Sequence, residues 1–201
     1  MNTLIGFDFS IAKPAATIYS NNIYYFYIWP KDLIDKNEKI YKDAGIIINK
    51  RNNIECNDIV KYDIINSDFL SDMIINNLSP FINKNTTIAF EGSSFNSKGN
   101  VTLSLTAWRY ILIYKLSKLI PLDNIYTFAP ISIKKIAGCS KRGTTKSDMI
   151  ESFINMPTFL GNYIRKKENL FKTKNGNWIS NLDDIADSYW VIEALRSKMC
   201  F

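Results

Sequence analysis

Apolar residues alternate with polar ones in the first part of the chain and recur at helical spacing later. The opening run Thr3–Phe9, TLIGFDF, is apolar around a single acid and predicts a strand. Ala15–Tyr19 and Ile23–Trp29 are two more runs rich in β-branched and aromatic residues. Ser20-Asn21-Asn22 between them predicts a tight turn, Lys13-Pro14 an earlier one, and Pro30 closes the third strand. Periodicity then fails over Lys31–Asp63, which is charged and Asn-rich. It holds a strand-like run at Ile46–Ile48 and a hairpin signal across Lys50-Arg51-Asn52-Asn53, and reads as an insertion or irregular excursion. Ser67 is placed to cap a helix over Asp68–Leu78 that Ser79-Pro80 ends. Thr86–Phe90 predicts a short buried strand that runs into Glu91 and a polar loop.

Leu105, Trp108, Leu112 and Leu116 recur at helical spacing within Leu103–Leu119, and Pro121 stops that helix. A strand at Asn124–Phe128 follows, then a short helix at Pro130–Ala137 and a basic loop at Gly138–Thr144. Lys146–Asn155 predicts another helix, and Tyr163–Lys174 is a basic stretch before a turn at Asn175-Gly176. The closing helix, Asn181–Met199, has Ile185, Tyr189, Ile192 and Leu195 on its apolar side. These elements predict an α/β fold, a mixed sheet with three opening antiparallel strands and helices on both faces. No repeat or linker divides residues 1–201, so one domain is expected.

Composition narrows the chemistry. With 46% hydrophobic and 22% charged residues in 201, the chain can bury a core. It has no histidine. That excludes a Ser-His-Asp triad, a Cys-His pair, a histidine general base and a histidine zinc ligand. Cys56, Cys139 and Cys200 are few, odd in number and far apart, so neither a disulfide framework nor a thiolate zinc site is expected. The N-terminus lacks the pattern of a signal peptide, and the apolar runs are too short for a bilayer. The expectation is a cytoplasmic protein, in a bacterium or an infected host cell, with no membrane association. Ile, Asn and Lys supply 31, 22 and 20 residues, a bias towards A/T-rich codons that fits a phage, viral or low-GC genome. It also lowers the weight of any single lysine as a sign of function.

Four acids stand in unusual settings. Asp8 sits mid-strand between Phe7 and Phe9, whose side chains point to the opposite face. Glu91 ends an apolar strand, and Asp184 and Asp187 share one face at the start of a helix. Singly, acids at a helix N-terminus need no function, because the helix dipole favours them. A carboxylate in a central strand is costly unless paired or metal-bound. Together the four can converge at one end of a sheet as an all-oxygen pocket, and hard oxygen ligands select Mg²⁺ or Mn²⁺. Two such ions about 3.5–4 Å apart support phosphodiester hydrolysis without histidine.

The motifs carry a resemblance. GFDFSIAKPA resembles the first strand of RuvC-type Holliday junction resolvases, members of the ribonuclease H-like nuclease superfamily. FEGSSFNSKGN followed by a helix resembles the family's second motif. SIKKIAGCSKRGTTKSDMIESF resembles its basic segment, and DDIADSYWVIEAL its closing Asp-x-x-Asp helix. The segments keep the family's order and cover most of the chain outside Lys31–Asp63. The resemblance implies a ribonuclease H-like fold and a Mg²⁺-dependent endonuclease, two ions per site, that resolves Holliday junctions or other branched DNA as a homodimer. It makes Asp8, Glu91, Asp184 and Asp187 the metal ligands. Asp183 competes with Asp184, but Asp184-Ile-Ala-Asp187 reproduces the family spacing. Some members of the superfamily have a histidine in the last motif; here Asp184 or Asp187 must fill that place. Another nuclease of this superfamily, acting on RNA–DNA hybrids or packaged DNA, and a non-catalytic DNA-binding module stay open as alternatives.

Charge distribution points the same way. Ten basic residues face three acids between Lys134 and Lys174, a net +7 that exceeds the +6 of the whole chain. Such a segment suits backbone phosphates, although a solvated basic face would look the same. Lys134, Lys135, Lys141, Arg142, Arg165, Lys166 and Lys167 are candidate DNA contacts. Lys146, which opens a helix after the basic loop, is the candidate for the scissile phosphate, and the resemblance places a family lysine there. Phe95, with Asn96 and Lys98 beside it, stands where the family has an aromatic residue near the junction centre, able to stack on an unpaired base.

Overall fold

The structure, a computed structural model, describes residues 3–92, 100–141 and 143–199. One six-stranded sheet organises it. β1 (Leu4–Asp8), β2 (Ala15–Ser20) and β3 (Ile23–Ile28) form the expected antiparallel meander. Asn21 and Asn22 close the second hairpin at φ 53° and 63°, a left-handed pair that asparagine tolerates better than most residues. β4 (Ile47–Ile48) runs parallel to β3 at one edge. On the other side β5 (Thr87–Glu91) lies parallel to β1, and β6 (Ile125–Phe128) parallel to β5. The order is β4-β3-β2-β1-β5-β6.

Strand alternation sorts the side chains into two cores. Ile5, Phe7, Ile88 and Phe90 pack on one face against α2 (Ile59–Leu78) and α3 (Asn100–Leu116). Leu4, Ala89, Ala15 and Phe26 face the other way, towards α5 (Lys146–Ile154) and α7 (Leu182–Met199). α1 (Asp35–Asp43), α4 (Pro130–Ile136) and α6 (Phe159–Lys166) complete that second layer. Trp108, Leu112 and Leu116 of α3 are fully buried, so that stripe is core. Helices therefore cover both faces of a mixed sheet, as the sequence predicted. Among the described residues no helix is long and apolar enough to cross a membrane.

The largest departures fall in Lys31–Asp63. The strand-like run becomes β4, but the segment also contains α1 and the first turn of α2. α1 is hard to see because it is polar, lacks a side-chain cap at Ile34 and buries only Asn37, Ile40 and Tyr41. No hairpin forms across Lys50–Asn53. Arg51 is drawn into the protein instead, 3% exposed, where its guanidinium donates to the carbonyls of Trp29 and Ile11 and to Asn53. Asn66 of α2 then holds the chain at Ile54 through both its backbone N–H and C=O. α2 starts after Asp58, whose side chain accepts from Lys61 N–H, so Ser67 is an interior residue and not the cap. α6 was hidden by its basic composition. Thr158 caps it through Gly161 N–H at 2.9 Å, and Leu160 and Ile164 are its buried face.

Candidate active site

The parity of two parallel strands builds the site. Phe7 and Phe90 are register partners on the α2–α3 face, where their rings stack 4.9 Å apart. One residue further, Asp8 and Glu91 fall side by side on the opposite face, towards α7. α7 can reach them because Gly6, two residues before Asp8, has no side chain. A Cβ there would lie 2.6 Å from Ser188 O and 2.7 Å from Ile192 N, inside the backbone of α7. Thr17 of β2 fastens the same contact through a buried 2.8 Å hydrogen bond to Ser188 Oγ. The helix therefore lies on β1 with Asp184 and Asp187 in its first two turns beside the strand ends.

Electrostatics records how crowded these acids are. Burial, then the charges of Asp187, Asp184 and Glu91, raises Asp8 well above the ordinary carboxyl range. Burial together with Glu91 and Asp183 lifts Asp187 to about 7, and burial with Asp183 lifts Asp184 to about 7. Glu91 is raised by burial and drawn back by Lys134, Arg109 and Lys146. Asp184 Oδ2 is buried without a hydrogen-bond partner. Anionic oxygens gathered this way favour protons or cations.

The donor set, four carboxylates with one orphaned oxygen, fits a hard divalent ion in chemistry. Among the described residues, no three such side chains yet close around a single ion position.

A cleft of about 410 Å³ opens over the strand ends, with Asp8, Glu91 and Asp187 on its floor and Lys134 and Lys146 on its wall. Asp184 and Asp183 do not line it. Lys146 leads α5, where Thr145 and Asp148 form a capping box. Its Nζ donates to Asp183 Oδ2 at 2.5 Å, and that carboxylate raises its pKa. Asp183 thus pairs with the lysine, while Asp184 has the larger electrostatic effect of the two on Asp8.

Other sequence candidates are scattered. Lys135 and Lys141 are exposed and do not line the cleft. Arg165 is spent on the fold, donating to Ile154 O and Asn162. Lys166 and Lys167 lie with it around a separate surface hollow. Phe95, Asn96, Lys98 and Arg142 fall outside the described residues. Two residues were missed from the sequence. Arg109 lines the cleft and donates to Glu91 O at 2.8 Å. Lys13 bonds Ser180 Oγ at 2.8 Å and acts on Asp184. The signal for Arg109 was its place beside Trp108 on the inward side of α3. Lys13 carried none, since its partners lie in the last quarter of the chain.

No family model matches the chain, and no curated protein matches it in sequence. Solved structures match it in fold. RuvC of Thermus thermophilus matches over 98% of this chain and 96% of its own, with a TM-score of 0.53 and 11% identity. The same protein in complex with Holliday junction substrate matches over 99% and 96%, at 0.53 and 10%. The yeast mitochondrial Holliday junction resolvase Ydc2 matches over 95% and 76%, at 0.50 and 14%. The fold is ribonuclease H-like. At these identities the likeness carries the architecture alone.

Proposed function

We propose that this chain is a divalent-cation-dependent endonuclease of branched DNA, a four-way junction resolvase that works as a homodimer. The observation that carries the reading is the convergence of Asp8, Glu91 and Asp187 on the floor of a cleft walled by Lys134 and Lys146. Solved junction resolvases share the fold, which supports DNA as the substrate class.

Asp8, Glu91, Asp184 and Asp187 would hold Mg²⁺, or Mn²⁺, two ions per site. Bound there, the ions supply Lewis acidity for the attacking water and for the departing 3′ oxygen. The protein supplies the rest. Gly6 and the Thr17–Ser188 bond fix the spacing between the strand acids and the helix acids. Lys146, released from Asp183, reaches the scissile phosphate, and Lys134 and Arg109, which line the same cleft, balance its charge. Two symmetric nicks need two such sites. The outer side of α3 exposes Leu103, Tyr110 and Tyr114 at 70%, 60% and 64%, a stripe that suits a second copy of the chain.

The test sets a synthetic four-way junction, a plain duplex and an RNA–DNA hybrid side by side with Mg²⁺. Paired symmetric nicks in the junction support the reading. Cleavage of the hybrid alone would move the chain to another nuclease of this superfamily, and binding without any cleavage would make it a DNA-binding module.

A further inference from the structure

The carboxylate cleft does not end at Lys146. The same side chain borders a second hollow of about 310 Å³, whose other walls include Lys13, Asn177, Trp178 and Asp183. Lys13 has a neutral hydroxyl, Ser180 Oγ, as its hydrogen-bond partner and makes no ion pair among the described residues. Trp178 is half-buried, whereas Trp29, Trp108 and Trp190 are 0–4% exposed. Its Nε1 donates to Ser147 Oγ at 3.1 Å, which fixes the ring beside the start of α5, and the Lys172 ammonium sits 4.5 Å from the ring centroid. The turn that carries it is tight, with Gly176 at φ 78° and Lys172 bridged to Trp178 across it. An aromatic ring held in a hollow that Lys13 and Lys146 also line is the composition of a site for an unstacked base and its phosphate.

A scissile phosphate in the first cleft belongs to a strand, and the neighbouring nucleotide must leave past one of the cleft walls. We propose that it leaves past Lys146 into this hollow, with its base on Trp178 and its phosphate against Lys13. A base in regular duplex is paired and stacked and cannot enter; one beside a branch point can. The hollow would then read strand structure instead of sequence. This rests on the function proposed above. Lys13 lies five residues after Asp8, so the loop that ends the catalytic strand also grips the adjoining nucleotide.

Trp178 supplies its own probe. In EDTA, where no cutting occurs, titration with a four-way junction is expected to quench tryptophan fluorescence, and an equal-length duplex to quench it far less. Trp178→Phe should remove the quench while keeping most of the binding. Trp178→Ala should weaken junction binding roughly 5- to 150-fold, the range for losing one stacked base. Lys13→Glu, which leaves the ring in place, should weaken junction binding more than duplex binding. If Trp178→Ala does not fold, Trp178→Phe and Lys13→Glu decide the matter. An undiminished quench in Trp178→Phe, or wild-type junction affinity in Lys13→Glu, overturns the hollow. If those variants are silent while the wild type still nicks junctions in Mg²⁺, the hollow falls and the nuclease stands. If the wild type nicks no branched DNA, the nuclease falls whatever the fluorescence shows.

Discussion

At the scale of single residues, Asp8 and Lys146 make opposite demands. Asp8→Asn keeps shape and removes one negative charge, so cleavage should be lost while junction binding survives. Lys146→Ala should slow cleavage more than it weakens binding, because its ammonium is assigned to the scissile phosphate and not to the flanking backbone. Equal losses in a gel-shift and a cleavage assay would make it an ordinary backbone contact. The pH dependence has a definite sign. Asp184 and Asp187 are raised to about 7 in the folded protein from 3.8, so the native state binds protons that the unfolded chain has released. Without divalent ions, stability should therefore be greatest below pH 4 as far as these groups are concerned, and should fall as pH rises from 4 to 7. Thermal melts in EDTA check this, and Asp187→Asn should flatten the slope. Asp8 and Glu91 stood out in the sequence because each interrupts or ends an apolar strand, whereas Asp184 and Asp187 stood out only as two acids on one face at the start of a helix. The partnership of Lys146 with Asp183 was not legible there, since 37 residues separate them.

At the scale of elements, the site depends on how closely α7 lies on β1. Gly6→Ala forces a Cβ against Ser188 O and Ile192 N, and backbone cannot swing aside as a side chain can. A cost of about 1–3 kcal/mol in urea unfolding is expected, with cleavage falling further than stability because Asp184 and Asp187 shift away from the strand. The start of α2 is a second element-level test. Asp58→Ala should cost about 1 kcal/mol through loss of the cap, and amide exchange should show protection from about Tyr62 onwards. A helix that started at Ser67 would leave those amides unprotected. Strands and long apolar helices were readable from alternation and helical spacing. α1, α6 and the first turns of α2 were not, because each buries only a few residues and owes its place to tertiary contacts such as Arg51 and Asn66.

At the scale of the whole molecule, the sheet order puts two parallel strand ends, a helix start and a basic wall at one corner. The sequence marked candidate residues, and the topology shows which of them come together. The basic segment Lys134–Lys174 divides in the process: Lys134 and Lys146 join the cleft, Arg165 serves the fold, and Lys166 and Lys167 lie elsewhere. A working dimer should depend on the exposed stripe of α3, so Tyr114→Glu is expected to yield monomers by sedimentation and to convert paired nicks into single ones. The most direct measurement is cleavage of a synthetic four-way junction in Mg²⁺, with the nicks mapped on all strands. Paired nicks at symmetric positions, absent in EDTA and absent from Asp8→Asn, are the expected result. Cleavage that persists in Asp8→Asn, or an uncut junction with the wild-type protein, would contradict it.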